Sequence, residues 1–135
     1  MLIMIEAIIR EEKFEDVKEA LNDMQINGMT VSQVMGCGTQ HGLTQYVRGN
    51  AVTMTLLPKL DIKIVVSSEK WELKVIECIR KAAYTGNMGD GKIFSYPIRT
   101  ATKIRTGETD EEAIISRKES DSNINQKGSA EGDAQ

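Results

Sequence analysis

Residues 85–94, which read TGNMGDGKIF, join a helical pattern of apolar residues to a run typical of a β-strand. Three glycines, an acid and a base lie within seven of these residues. Glycines let the backbone adopt positive φ angles close to a ligand, and successive N–H groups in such a loop can form a concave anion site. Lys92 adds a charge that could reach a phosphate. Residues 85–92, the glycine loop, are therefore either a phosphate-binding loop or a tight turn with Asp90-Gly91 as ordinary turn chemistry.

Strand-like and helical patterns alternate along the rest of the chain. Nearly continuous apolar residues at 2–9 predict a strand buried on both faces, and helical spacing of apolar residues predicts a helix over 13–24. Residues 29–35 and 60–66 alternate as half-buried strands do, and we expect Ser68 to cap a helix that extends to Ala82. After the glycine loop, a last strand is predicted over 92–96, ended by Pro97.

Residues 36–58 show no sustained hydrophobic period, and such long loops in small domains are usually functional or disordered. One interpretation is a mobile loop that contacts a partner. The other is an extension of a β-hairpin, because Thr53, Thr55 and Leu57 could continue a strand. Both interpretations hold if a flexible tip sits on a short hairpin stem.

Two segments follow the last strand. In an extended chain Lys103 and Arg105 would point to the same side, which suits either an anionic ligand or a solvated charged edge. Residues 116–135 are rich in Ser, Asn, Gln, Gly and charged residues and contain no aromatic residue. Such a segment buries little apolar surface, so we expect a disordered tail after one domain of residues 1–115.

The composition argues against several classes of protein. Acidic residues outnumber Lys and Arg by 20 to 17, which argues against a surface that binds nucleic acid. No apolar run approaches the roughly 18 residues of a membrane span, and the apolar N-terminus contains Glu6 without a preceding basic region, unlike a signal peptide. Cys37 and Cys78 lack the spacing of a metal site, so we expect free thiols in a cytoplasmic protein, with Cys78 in the core.

The order of elements, β-α-β-β-α-β, is that of the ferredoxin-like α+β fold. Two helices cover one face of the sheet, and we expect the other face to be apolar and covered by copies of the same chain. The glycine loop and the cationic segment of different subunits would then meet in a cleft. Fold alone does not give function. The chain lacks the aromatic-rich strand of RNA binders, and Arg10, followed by two glutamates, is a poor anion pocket, so a small-molecule sensor suits it better.

The motifs of the chain resemble those of the PII nitrogen regulatory signal proteins, over residues 2 to about 115. Each motif is weak alone, but their order and spacing together make a chance similarity improbable. The motifs are Glu6-Ala7-Ile8-Ile9-Arg10, Asn27-Gly28-Met29-Thr30-Val31, Gly36-x-Gly38, Arg48-Gly49, Leu57-Pro58-Lys59, residues 85–94, and Ile104-Arg105-Thr106-Gly107-Glu108.

The resemblance implies a homotrimer that binds ATP or ADP in clefts between subunits and is not an enzyme, apart from slow ATP hydrolysis at most. The glycine loop would hold phosphates through backbone N–H groups and Lys92, and the neighbouring subunit would clamp them with two cations. The cofactor-binding residues that the resemblance implies are Thr30, Gly38, Thr39, Gln40, Lys59, Val65, Gly89, Asp90, Gly91, Lys92, Lys103 and Arg105.

The resemblance also implies an effector response, because Mg²⁺ with ATP recruits 2-oxoglutarate in the family. Gln40 would be the metal ligand, and Lys59 would pair with a carboxylate of 2-oxoglutarate. Ligation at Gln40 would bias the conformation of the long loop. That loop, about residues 37–56, corresponds to the T-loop, which docks on ammonium transporters, enzymes or regulators in the family. The implied partner contacts are Tyr46, Arg48, Gly49 and Asn50.

The T-loop departs from the family pattern. Val52 stands where many members carry a tyrosine that is uridylylated or adenylylated, and Asn50 replaces a serine that cyanobacterial members phosphorylate, so neither modification is expected. Thr39 and His41 replace basic residues, which could weaken ATP binding or alter the effector response. The retained Arg48 keeps transporter docking open, and the altered loop also suits members that regulate nitrogenase. A PII-like trimer that binds other small ligands or metal ions is the alternative.

Overall fold

The structure, a computed structural model, describes residues 1–26, 28–39, 45–47, 50–52 and 54–114. Its main strands and helices follow the predicted order. They are β1 (Leu2–Arg10), a 3-10 turn (Glu11–Lys13), α1 (Phe14–Asp23), β2 (Thr30–Thr39), β3 (Gln45–Val47), β4 (Asn50–Val52), β5 (Met54–Val66), α2 (Glu69–Ala83), β6 (Gly91–Ile98) and α3 (Glu111–Ile114).

Four strands form an antiparallel sheet in the order β2-β5-β1-β6, and β3 pairs with β4 in a separate hairpin. β1 lies inside the sheet because its residues are apolar on both faces apart from Glu6 and the terminal Arg10. Ile5 of β1 pairs with Ile64 of β5 on one side and Ser95 of β6 on the other. The predicted ferredoxin-like α+β fold is confirmed.

The hydrophobic core lies between the sheet and the two long helices. Alternate residues of β1 and β5 pack against the apolar stripes of α1 and α2, as the period of two in a strand requires. The cap predicted at Ser68 is present, with the Trp71 N–H donating to its Oγ at 3.2 Å. The fully buried large side chains are Ile5, Ile9, Val17, Leu21, Ile62, Ile64, Val75 and Ile79.

The helix-free face of the sheet is only partly apolar: Met4, Ile8 and Val65 lie on it, as predicted, but charged residues lie there as well. Glu6, Asp61 and Lys63 lie on it, because each alternates with a residue of the core cluster. Tyr96 donates to the Glu6 carboxylate at 3.2 Å. Asp61 is buried, and its Oδ1 has no hydrogen-bond partner among the described residues. Burial is the main cause that raises the pKa of Asp61, and the neighbouring Glu6 raises it further.

The hairpin interpretation of the long loop is confirmed for its stem. β2 and β5 extend beyond the predicted strands and stay paired as far as Thr39 and Met54. Beyond the stem, β3 and β4 form a short hairpin in which Tyr46 pairs with Ala51. The sequence of the long loop showed no hydrophobic period because its strands β3 and β4 contain only three residues each.

Two expectations after the glycine loop were wrong. Pro97 does not end the last strand but pairs with Ile3 inside β6, which is tolerated because β6 is an edge strand and needs no second set of N–H donors. Residues 103–108 are not extended. Lys103 N–H donates to the Glu108 carbonyl at 2.8 Å and Gly107 N–H to the Lys103 carbonyl at 2.8 Å, which closes a turn.

Both cysteines are free, as predicted; Cys37 is exposed and Cys78 is partly buried against the core. Burial raises the pKa of the Cys78 thiol. No helix in the described part of the chain is long and apolar enough to cross a membrane. The predicted tail, residues 116–135, lies outside the described residues, as do Gln40, His41, Arg48 and Gly49.

Candidate functional site

The glycine loop turns sharply between α2 and β6. Gly86, Gly89 and Gly91 have φ angles of 87°, 97° and 104°, which side chains strongly disfavour. At Gly91 the requirement is also steric. A Cβ atom there would overlap the carbonyl oxygen of Ile8 and lie 2.8 Å from its carbonyl carbon. The end of the glycine loop at Gly91 therefore lies directly against β1.

The carboxylate of Asp90 is directed into the loop and not into the space in front of it. It accepts from the N–H groups of Thr85 at 2.8 Å and Gly86 at 3.0 Å, from the Thr85 hydroxyl, and from Arg10 Nε at 3.0 Å. The Thr85 hydrogen bonds, with help from Arg10 and Gly86, hold the pKa of Asp90 well below its usual range. The turn interpretation is thus correct for Asp90, whose charge is matched by donors within the loop.

Two cations from the sheet hold consecutive carbonyl groups of the loop. Arg10, at the end of β1, donates from Nη2 to the Met88 carbonyl at 2.6 Å. Lys59 of β5 donates from Nζ to the Gly89 carbonyl. Burial, and then the charge of Arg10, lower the pKa of Lys59, while Glu12 and Asp90 act in the opposite direction.

Arg10 is the residue of this site that the sequence analysis missed. Its two following glutamates suggested a poor anion pocket, but only Glu12 approaches it, with 3.9 Å between Nη1 and Oε1. Its main partner, Asp90, is 80 residues away in sequence. The register that pairs Ile9 with Gly91 would have revealed the contact, because it places the end of β1 beside the glycine loop.

A cleft of about 470 Å³ lies between the loop, the hairpin stem and the helix-free face of the sheet. Five of the predicted site residues lie along or under it: Gly38, Lys59, Gly89, Gly91 and Lys92. Asp90 is adjacent, with its carboxylate turned away. The remaining lining residues are Ile8, Gly36, Cys37, Leu57, Met88 and Phe94, which give the cleft an apolar floor.

The other predicted residues lie elsewhere in the chain. Thr30 pairs with Lys63, eight residues from Gly38 along β2, which is about 26 Å at 3.3 Å per residue. Val65 pairs with Met4 at the same end of the sheet. Lys103 and Arg105 lie in the turn after β6, and neither lines the cleft. One chain therefore does not bring all of these residues together.

The remaining predicted site residues fall on the hairpin and its surroundings. Gln40, the predicted metal ligand, and Arg48 and Gly49 lie outside the described residues. Thr39 ends β2, and the backbones of Tyr46 and Asn50 belong to β3 and β4. Among the described residues, no group of three or more His, Cys, Asp or Glu side chains could hold a metal ion.

The sequence of the chain matches a known family. The family model of the nitrogen regulatory protein P-II matches residues 2–108. The chain is 50% identical over 110 residues to nitrogen regulatory protein P-II 1 of Methanothermobacter thermautotrophicus, covering 82% of this chain and 95% of that protein. It is 41% identical over 111 residues to nitrogen regulatory protein GlnK of Escherichia coli, covering 82% and 98%.

Solved structures agree with the sequence relatives. The ATP complex of GlnK from B. subtilis superposes with a TM-score of 0.67 at 35% identity, covering 83% of this chain and 96% of that one. A second structure of B. subtilis GlnK gives a TM-score of 0.68 at 33% identity, covering 83% and 97%. The chain therefore belongs to the P-II family of nitrogen regulatory proteins.

Proposed function

We propose that this chain is a nitrogen regulatory signal protein whose glycine loop binds the phosphates of ATP or ADP. One observation carries the proposal: the carbonyls of Met88 and Gly89 both point at sheet cations. In a trans peptide unit the N–H points opposite to the C=O. The N–H groups of Gly89 and Asp90 thus point away from Arg10 and Lys59, and no hydrogen bond to another described residue uses them.

Two consecutive N–H groups directed the same way form a concave anion site. The charge of Asp90 does not oppose an anion there, because it is matched by donors inside the loop. Lys92 is exposed at the rim of the cleft and supplies a cation for the phosphates. The solved ATP complex of a GlnK relative supports a nucleotide as the ligand.

The nucleotide site is completed by a neighbouring subunit in a homotrimer. Thr30 and Val65 lie at the end of the sheet opposite to Gly38, so one nucleotide does not contact both ends of one chain. In the trimer, one subunit supplies the glycine loop and Gly38, and its neighbour supplies Thr30, Val65, Lys103 and Arg105. The exposed aromatic residues Phe94 and Tyr96 on the helix-free face favour its burial against other subunits.

The effector site lies at the same cleft. Lys59 is 8% exposed and lines the cleft as a shielded cation, which suits a carboxylate of 2-oxoglutarate. Gln40, with Thr39 beside it, follows directly after β2 and would hold Mg²⁺ together with the nucleotide phosphates. The metal would supply positive charge that binds the phosphates and 2-oxoglutarate together.

The output is the T-loop, about residues 37–56, on the β2–β5 stem. Tyr46, Arg48, Gly49 and Asn50 would contact an ammonium transporter or an enzyme or regulator of nitrogen metabolism, nitrogenase included, in the cytoplasm. The stem supports this assignment, because its strands run from the cleft at Gly36 and Gly38 to Thr39 and Met54, the ends that flank the segment of β3 and β4 in the sequence. The domain of residues 1–115 carries all of these sites.

Calorimetric titration with ATP tests the phosphate site. Lys92→Ala should weaken ATP binding strongly, because it removes the exposed cation of the cleft. Lys70→Ala, which removes an exposed lysine from the first turn of α2, is the matched control and should leave affinity unchanged. Equal affinity of the Lys92 variant and the wild type would reduce the loop to a structural turn.

Titration with 2-oxoglutarate tests the effector site. Heat of binding should appear only when MgATP is present, and Lys59→Ala should abolish it. Binding that does not depend on MgATP would refute the sensor function and favour a PII-like trimer for other ligands.

A further inference from the structure

We propose that Arg10 is a positioning residue that sets the direction of the phosphate-binding N–H groups of the glycine loop. The inference rests on the proposed nucleotide function and adds a residue that does not line the cleft. Arg10 acts through the backbone and through Asp90 and does not touch the nucleotide.

The contacts of Arg10 tie two different parts of the loop together. Its Nε donates to Asp90 Oδ1 at 3.0 Å, and its Nη2 donates to the Met88 carbonyl at 2.6 Å. The same Asp90 carboxylate accepts from the N–H groups of Thr85 and Gly86, at the start of the loop. One guanidinium therefore links the first residues of the loop to the peptide that carries the Gly89 N–H.

The arginine side chain is shielded, which strengthens these bonds. Only 19% of its side chain is exposed, and 24% of that of Asp90. Charged hydrogen bonds gain strength where water is partly excluded. The absence of a side chain at Gly89 favours the approach of Arg10, because a Cβ there would lie 3.3 Å from Nη2, a tight contact.

The geometry requires the planar fork of an arginine. A guanidinium presents several N–H groups in fixed directions, so one side chain serves a carboxylate and a carbonyl at the same time. A lysine in this position supplies the charge but not the fixed pair of directions. Arg10→Lys should therefore retain part of the effect, and Arg10→Gln should lose most of it.

Arg10 also acts on the second cation of the site. Lys59 is approached by the charges of Arg10, Glu12 and Asp90, and of these Arg10 alone lowers its pKa. Removing the charge of Arg10 should raise the pKa of Lys59. This readout does not depend on nucleotide binding and tests the proximity of the two cations by itself.

The experiment compares the wild type, Arg10→Gln and Arg10→Lys in three measurements on the full chain. The first is ATP affinity by calorimetry, the second is adenosine affinity by NMR titration, and the third is the pH titration of the Lys59 side chain by NMR of labelled lysine. The control is Arg80→Gln, an arginine that also pairs with a carboxylate, Glu77 at 2.8 Å, but on the exposed face of α2.

We expect Arg10→Gln to weaken ATP at least about tenfold, which corresponds to about 1.4 kcal/mol, and to leave adenosine affinity unchanged. Arg10→Lys should lie between Arg10→Gln and the wild type, Lys59 should titrate at higher pH in Arg10→Gln, and the control should match the wild type. An equal loss for ATP and adenosine, or unchanged ATP affinity, would overturn the proposal. Failure of the wild type to bind ATP would instead refute the proposed function, and the Lys59 titration would still test the contact. If Arg10→Gln does not fold, Arg10→Lys carries the comparison of ATP with adenosine.

Discussion

Replacing Gly91 by alanine should separate the glycine loop from β1. Gly91 opens β6 and pairs with Ile9 at a φ angle of 104°. The added Cβ would overlap the Ile8 carbonyl oxygen, which belongs to the backbone of the central strand and has no free rotation. Either the start of β6 moves away from β1, or both strands deform.

Two terms set the size of the effect. A side chain in the left-handed region costs about 1–2 kcal/mol. Moving the start of β6 away also loses hydrogen bonds at the end of the β1–β6 ladder, each worth about 1 kcal/mol. The sum is about 3 kcal/mol, and the displaced loop should also lose contacts with Arg10 and Lys59, so ATP affinity should fall as well.

Urea unfolding followed by circular dichroism, at one fixed protein concentration, measures the first effect. Gly107→Ala is the matched control, because Gly107 has a φ of 74° but nothing within 4 Å of its Cβ position among the described residues. That variant should lose only the strain term, about 1–2 kcal/mol. Equal destabilisation of the two variants would show that the steric overlap with Ile8 adds nothing to the loss of unfolding free energy in Gly91→Ala.

Three further predictions concern other parts of the fold. Asp61→Asn should stabilise the protein at neutral pH. Because the folded pKa of Asp61 is raised, wild-type stability is lost as pH rises through it, so the gap in Tm between variant and wild type should widen from about pH 4 to pH 7, and a constant gap would refute this cause. Ser68→Ala should lower the free energy of unfolding in urea by about 1 kcal/mol, because it removes the N-terminal cap of α2. An equal decrease in Ser67→Ala would contradict that cause. In a thiol-labelling experiment at mildly alkaline pH, exposed Cys37 should react before Cys78, whose pKa is raised by burial. Fast reaction of the single remaining thiol in Cys37→Ser would place Cys78 outside the core.

The local sequence predicted the elements better than their ends. The alternation of Ile62, Ile64 and Val66 and the helical stripe of Val75 and Ile79 correctly located β5 and α2, because both patterns follow the period of the backbone. β2 and β5 extended beyond their apolar parts because their residues there pair with each other, which a pattern along one strand does not contain. Pro97 stayed in β6 because an edge strand tolerates a missing donor.

The sequence correctly predicted the backbone conformation of the glycine loop but not the partners of its charged residues. Gly86, Gly89 and Gly91 marked a backbone with positive φ, and the structure has it at all three. The sequence assigned Asp90 and Lys92 to the same anion site, whereas in the structure the Asp90 carboxylate faces inward and only Lys92 lies at the rim.

The sequence by itself determined the ferredoxin-like order of elements, the glycine loop and the family, because these depend on periodicity and on motifs along the chain. Tertiary structure alone decided which partners the charges have. Arg10, Lys59 and Asp90 are far apart in sequence. They meet because the antiparallel register of β1 places its end beside Lys59 of β5 and beside the start of β6. The register thereby decides that Arg10 and Lys59 hold the carbonyls of Met88 and Gly89.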